Sequence, residues 1–77
     1  MIRPVFEKTF MRAGAMRSFQ ICFGPNGWEV SEKDDRKVAR HYHADWHQVE
    51  RTLIRFDHEI AALRQEGWLE QELITQN

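Results

Sequence analysis

Three histidines and an aspartate within seven consecutive residues are the side chains of this sequence that could hold a metal ion. They are His41, His43, Asp45 and His47. Alternate residues of a strand share a face, so His41 and His43 could converge, and Asp45 or His47 could complete a zinc-like set of ligands. Sensing of pH by the histidines is a second possibility. We expect a third arrangement, in which the histidines are exposed and Asp45 caps a helix, and therefore predict no metal and no cofactor.

The single cysteine is the side chain with the strongest nucleophilic chemistry. Cys22 lies in the middle of a segment with strand periodicity, and no helix N-terminus or basic neighbour is placed to lower its pKa. Nothing in the sequence locates an oxyanion hole beside it. We therefore predict no catalytic residues and a protein that is not an enzyme.

The composition is that of one small domain. The chain has 77 residues, 42% of them hydrophobic and 30% charged, with a formal net charge of −1. One core is all that such a chain can form. A lone cysteine excludes an internal disulfide, which leaves a metal or a partner subunit as the added source of stability. We expect a cytoplasmic protein with no membrane association, because we find no signal peptide and no apolar run of transmembrane length.

One helix is strongly indicated by its apolar periodicity. Apolar residues recur at alternating steps of three and four, at Trp46, Val49, Leu53, Phe56, Ile60 and Leu63. This spacing places them on one helical face. Asp45 is expected at the N-cap with Gln48 as its capping-box partner, and Gly67 at the C-terminal end.

Three segments before this helix alternate between apolar and polar residues, which is typical of strands. Their alternating positions are Phe19, Ile21 and Phe23, then Trp28 and Val30, then Val38, Arg40 and Tyr42. Residues 24–27, Gly-Pro-Asn-Gly, suit a hairpin turn. With a three-residue second turn, Val30 would face Arg40 and Trp28 would face Tyr42, whereas a shift of one residue would reverse these faces.

These elements predict an α+β fold with a three-stranded antiparallel meander packed against one long C-terminal helix, in the order β-β-β-α. Residues 1–15 are expected to be an extension or a short docked helix, because Pro4 and Gly14 bracket apolar residues at helical spacing. Residues 16–69 form the predicted domain. Residues 70–77 are predicted to be an acidic tail.

A mismatch of lengths predicts a homodimer. A helix over residues 46–66 is about 31 Å long, whereas six-residue strands span about 20 Å. The helix would therefore extend beyond its sheet and expose apolar side chains that a second subunit could cover. The predicted interface consists of Ile54, Ile60, Ala61, Leu63, Trp68 and Leu69.

The sequence thus favours a non-enzymatic interaction or regulatory module that binds itself and then a larger protein partner. A nucleic-acid-binding protein is the main alternative, through Arg17, Lys37 and Arg40 on the sheet. A three-stranded sheet backed by a helix is similar in architecture to phage-integrase arm-binding and plant AP2-type DNA-binding domains, and likeness of topology alone carries no function. Acidic residues nearly balance the basic ones between residues 17 and 43, which disfavours binding to phosphates. A small metal-binding protein is the second alternative.

Overall fold

The computed structural model describes residues 3–71 and shows a five-stranded antiparallel sheet with one helix packed on one face. The elements are β1 (Arg3–Arg12), β2 (Ala15–Gly24), β3 (Gly27–Asp34), β4 (Val38–His43), α1 (Trp46–Gln65) and β5 (Leu69–Gln71). The strand order in the sheet is β4-β3-β2-β1-β5. The α+β class, the antiparallel meander and the single long helix are confirmed, whereas the predicted number of three strands is wrong.

The N-terminal segment forms β1, so the predicted short helix is also wrong. β1 pairs with β2 through a hairpin turn at Ala13 and Gly14, whose φ angles are 51° and 82°. Positive φ at both central residues is the signature of a type I′ turn, which matches the twist of paired strands. The sheet therefore crosses the predicted boundary between residues 15 and 16. The tail enters the sheet through β5, and residues 72–77 lie outside the described residues.

Two local features hide the strand alternation of β1. A β-bulge interrupts the pairing between Pro4 and Phe6, which shifts the apolar periodicity by one residue. Lys8 then lies opposite the buried Phe19. The Lys8 ammonium is 5.9 Å from the centre of the Phe6 ring and 4.0 Å from Glu70, so its stem covers the sheet while its charge stays at the surface.

The register between β3 and β4 differs from the expected one by one residue. Val30 pairs with His41, and Trp28 pairs with His43. The cause is the tight turn between the strands, where the Asp34 carboxylate accepts hydrogen bonds from the main-chain N–H groups of Arg36 and Lys37. These bonds lower the pKa of Asp34 and close the loop one residue earlier than predicted. Arg40 and Tyr42 therefore lie on the face opposite to α1.

The predicted helix caps are largely confirmed. The Asp45 side chain accepts a hydrogen bond of 3.0 Å from the His47 N–H, as an N-cap does. Gln48 does not complete the capping box, because its side chain contacts His43 instead, at 3.1 Å. At the other end Gly67 has a φ of 92°, and the Trp68 N–H donates to the Leu63 carbonyl. This is a Schellman motif, which turns the chain back toward β1.

The core lies between α1 and the sheet. Its fully or nearly fully buried members are Phe10, Phe19, Ile21, Val30, Val49, Phe56, Ile60 and Leu63. Phe56 of the helix packs on Phe19 at 4.9 Å and on Phe6 at 6.1 Å between ring centres. The opposite face of the sheet, here called the open face, is not covered by any described element. It is mostly polar, and its side chains bond one another, as in the pairs Thr9–Ser18 and Gln20–Glu7.

We predict that Phe10→Ala lowers the free energy of unfolding by about 3–5 kcal/mol, the usual effect of removing a buried aromatic side chain. The Phe10 side chain is 0% exposed. Val5→Ala in the same strand is the matched control, because Val5 is 58% exposed and should change stability by less than about 1 kcal/mol. Urea denaturation followed by circular dichroism measures both. Equal effects of the two substitutions would show that β1 does not contribute to the core.

Candidate interaction surface

The predicted dimer interface is divided by the structure into buried and exposed parts. Ile60 and Leu63 are buried in the core, and Trp68 is half-buried against it. β1 and β2 have ten residues each and so extend about 33 Å, which means that the 20-residue helix does not extend beyond its sheet. The overhang expected from the sequence is therefore wrong. The remaining predicted residues are exposed but separated, since Ile54 and Ala61 lie on the outer side of α1 and Leu69 lies on β5.

One edge of the sheet pairs with no other strand among residues 3–71. β4 forms this edge, and every residue of β4 except the half-buried His43 is exposed. Its two large apolar side chains, Val38 and Tyr42, are 49% and 66% exposed and lie on the open face. An unpaired edge strand of this kind presents a row of main-chain donors and acceptors to which another strand can bind.

The hydrogen-bonding pattern of the β3–β4 ladder shows which main-chain groups of β4 point outward. The Asp34 N–H donates to the Lys37 carbonyl at 3.0 Å, so this pair is hydrogen-bonded. Because hydrogen-bonded and non-bonded pairs alternate along an antiparallel ladder, the main chains of Ala39, His41 and His43 point toward β3. Those of Val38, Arg40 and Tyr42 point outward.

The opposite edge of the sheet is obstructed. In the described part of the chain β5 has three residues and covers β1 at Thr9–Met11. The rest of β1 contains Pro4, the bulge that follows it, and the charged Lys8. A short edge strand, a proline, a bulge and a lysine are each devices that prevent an edge from pairing with another chain. In contrast, β4 contains no proline, and its pairing with β3 shows no bulge.

The one formal charge of β4 lies beside a carboxylate of the neighbouring strand. The Arg40 Nε lies 3.7 Å from a carboxylate oxygen of Glu29 on β3. Glu29 also pairs directly with Tyr42, and the hydrogen bond to this carboxylate, together with its negative charge, raises the pKa of the Tyr42 phenol. The charge of Arg40, the kind of residue that protects an edge strand, is therefore balanced by a carboxylate of its own subunit, while the side chain is 65% exposed.

Cys22 lies beside this group on the open face, opposite Glu29. Burial raises the pKa of the Cys22 thiol, and the charges of Glu29 and Glu7 raise it further. The thiol is therefore protonated at neutral pH, whereas a nucleophilic cysteine needs its thiolate form.

An aromatic patch that the sequence did not indicate lies at the hairpin end of the helix-covered face. It consists of Phe23, Trp28 and Trp46, with ring centres 5.2 and 5.5 Å apart. Phe23 and Trp46 remain exposed, because the helix begins at this point and covers the sheet only beyond it. The signal was present in the strand alternation of Phe23 and Trp28, but the expected pairing of Trp28 with Tyr42 was wrong.

The histidines do not form a metal site in the structure. His41 and His43 share the helix-covered face of β4, while Asp45 is engaged as the N-cap and His43 bonds Gln48. Within residues 3–71, no group of three or more His, Cys, Asp or Glu side chains is arranged to hold a metal ion.

The structure brings together two of the three residues proposed for nucleic-acid binding, because Arg17 and Lys37 line the same cavity, whereas Arg40 does not line it. Arg17 lies on the helix-covered face, with its guanidinium 5.3 Å from the centre of the Phe19 ring. Arg40 lies on the open face and pairs with Glu29, and Lys37 is exposed in the turn before β4. The acidic side chains of Glu32 and Asp34 line this cavity as well. It is therefore a surface of mixed charge rather than the basic surface that binds phosphates.

A group of charged side chains joins α1 to the sheet. Arg55 contacts Glu32 at 3.0 Å and Glu59 at 3.5 Å, and Arg17 lies 3.9 Å from Glu59. Burial raises the pKa of Glu59, and the neighbouring Glu32 raises it further, by repulsion and by the hydrogen bond that protonated Glu59 donates; the two arginines oppose this shift. Burial, together with the negative charge of Glu32, thus favours the neutral form of Glu59.

The sequence matches no protein-family model, and no curated protein or solved structure is significantly similar to it. The part of the chain that the structure describes contains no helix of the length and apolarity needed to span a membrane.

We predict that Glu59→Gln changes the pH dependence of stability. A carboxyl group with a raised pKa in the folded state stabilises the fold in acid and loses this contribution as the pH rises through the folded-state pKa. The melting temperature of the wild type relative to Glu59→Gln should therefore be higher at pH 4.5 than at pH 7. Asp57→Asn, on an exposed position of the same helix, controls for the loss of a carboxylate. A difference that increases with pH would contradict the shift assigned to Glu59.

Proposed function

We propose that this protein is a non-enzymatic interaction module that forms a homodimer by pairing the β4 edges of two subunits. The observation that carries the proposal is the contrast between the two edges of the sheet. Within residues 3–71, the β1–β5 edge contains a proline, a bulge and a short strand, whereas the β4 edge has three outward-pointing residues whose main-chain groups pair with no other strand. Because identical antiparallel strands can pair around a two-fold axis, a second copy is a self-complementary partner for this edge.

Edge pairing also accounts for the apolar side chains of β4. Val38 and Tyr42 are exposed in one subunit, and a second β4 strand would cover part of both, because opposing residues of paired strands contact each other. The aromatic patch of Phe23, Trp28 and Trp46 stays accessible in such a dimer. It would be the surface for a larger protein partner, because buried aromatic side chains often supply most of the binding energy at interfaces.

The sequence predicted a homodimer whose interface lay mainly on the helix. The proposal keeps the second copy as the partner but moves the interface to the β4 edge. We propose a cytoplasmic location, where the single Cys22 thiol would stay reduced. Nucleic-acid binding is not part of the proposal, because acidic side chains line the cavity that Arg17 and Lys37 share, and Arg40 lies on the open face. Metal binding is not part of it either, because Asp45 is engaged as a helix cap.

We predict that the wild type dimerises in a concentration-dependent manner, and that a double variant, Val38→Lys with Tyr42→Lys, weakens the dimer by about 2 kcal/mol, or roughly 30-fold in Kd. In paired β4 strands the lysine introduced at Tyr42 lies opposite either the lysine introduced at Val38 or Arg40, so like charges repel in either case. Sedimentation velocity over about 1–300 μM, a range that brackets micromolar association, measures the Kd. Far-UV circular dichroism checks that the variant is folded.

Ile54→Lys is the matched control, because Ile54 is 60% exposed but lies on the outer side of α1. It should leave the dimer intact. A wild type that stays monomeric over the whole concentration range would refute self-association. Dissociation by Ile54→Lys instead of the β4 variant would place the interface on the helix.

A further inference from the structure

We propose that the two-fold axis of the dimer lies between Arg40 and its copy in the partner subunit. Val38 of one subunit then lies opposite Tyr42 of the partner subunit. This inference rests on the proposed self-association and specifies the contacts that it makes. It follows from three properties of β4: which main-chain groups point outward, which side chains share a face, and where the charge of Arg40 is directed.

Symmetry limits the pairing to a few registers. Residues directly opposite each other in antiparallel strands have side chains on the same face. In a dimer with a two-fold axis perpendicular to the sheet, one residue must therefore lie directly opposite its own copy, and the axis passes midway between these two identical residues. β4 spans Val38–His43, so the registers that keep most of the strand paired place either Arg40 or His41 opposite its own copy. These two registers are called the Arg40 axis and the His41 axis. Both pair five residues of each strand.

The two registers differ in their main-chain hydrogen bonds. Only Val38, Arg40 and Tyr42 have outward-pointing N–H and carbonyl groups. With the axis at Arg40, all three form hydrogen-bonded pairs, namely Arg40 with its own copy and Val38 with Tyr42 in both directions. With the axis at His41, only the two pairs between Arg40 and Tyr42 form inside the strand, and the Val38 groups stay unpaired. The Arg40 axis therefore satisfies more of the edge.

The side chains favour the same register. With the axis at Arg40, the exposed apolar side chains of Val38 and Tyr42 lie opposite each other across the interface, on the open face. Pairs of an aromatic and a β-branched residue stabilise adjacent strands. With the axis at His41, Tyr42 lies opposite Arg40 and Val38 has no partner within the strand.

The disadvantage of this register is that the two Arg40 side chains face each other. Like charges opposite each other destabilise paired strands. Each Arg40, however, already lies 3.7 Å from Glu29 of its own β3, so what meets at the axis is two ion pairs rather than two free cations. Glu29 is accordingly a positioning residue for the interface, although it does not belong to the edge strand.

Disulfide trapping tests the register. In a Cys22→Ser background, Arg40→Cys places one thiol from each subunit at the axis, within the Cα separation that a disulfide accepts. Oxidation by glutathione disulfide should link Arg40→Cys dimers faster than His41→Cys dimers, by a factor on the order of ten, because only the first pair is held in place. Ile54→Cys, exposed on the outer side of α1, is the control for random collisions and should stay largely monomeric on non-reducing gels.

Each other outcome overturns the inference in a distinguishable way. Faster linking of His41→Cys would move the axis by one residue. Linking of neither variant above the Ile54→Cys control, while the wild type sediments as a dimer, would remove the β4 edge from the interface and leave self-association standing. A monomeric wild type would refute both.

Glu29→Gln tests the role of Glu29. The Kd of this variant should be about threefold to tenfold higher than that of the wild type, because the substitution leaves the two Arg40 charges without their carboxylate partners. An unchanged Kd would refute the role given to Glu29.

Discussion

The packing of Phe56 on the centre of the sheet is the contact on which the rest of the structure depends. Phe56 lies on the buried stripe of α1, 4.9 Å from Phe19 of the central strand β2 and 6.1 Å from Phe6 of β1. A helix has one apolar stripe, and only a surface as long as the helix can cover it. The ten-residue hairpin of β1 and β2 supplies that length, so the fold needs its N-terminal strand.

The same constraint determines which surfaces remain for binding. Because one helix covers one face, the other face must be polar, and its side chains satisfy each other through pairs such as Thr9–Ser18. Because the chain returns through a Schellman turn at Gly67, β5 pairs beside β1 and shortens that edge. Among the described strands, β4, which leads into the helix, is the one whose outer edge stays unpaired along its length. The open edge is thus a consequence of where the chain places its helix.

The elements with a strong local signal could be predicted from the sequence, and those that depend on other parts of the chain could not. The stripe from Trp46 to Leu63, with Asp45 before it and Gly67 after it, identifies α1 and both its ends. β1 was not predicted, because a bulge and Lys8 interrupt its alternation of apolar and polar residues. β5 was not predicted either, because its three described residues are too few to show a periodic pattern. The β3–β4 register depended on hydrogen bonds from two main-chain N–H groups to one side chain, Asp34, a detail that hydrophobic patterning does not contain.

The interaction surface was harder to predict than the fold for a related physical reason. A sequence pattern shows which residues are apolar, but not which strands end up at the edges of the sheet, and edge status decides whether main-chain groups are free. Ile60 and Leu63 are apolar and were expected at an interface, yet the sheet covers both. β4 contains fewer apolar residues, but its outward N–H and carbonyl groups have no partner among the described strands. A free main-chain edge attracts any extended strand, and side chains then select among them. In β4 the carboxylate of Glu29 pairs with Arg40 within the same subunit, and this pairing lowers the electrostatic repulsion between two identical edges.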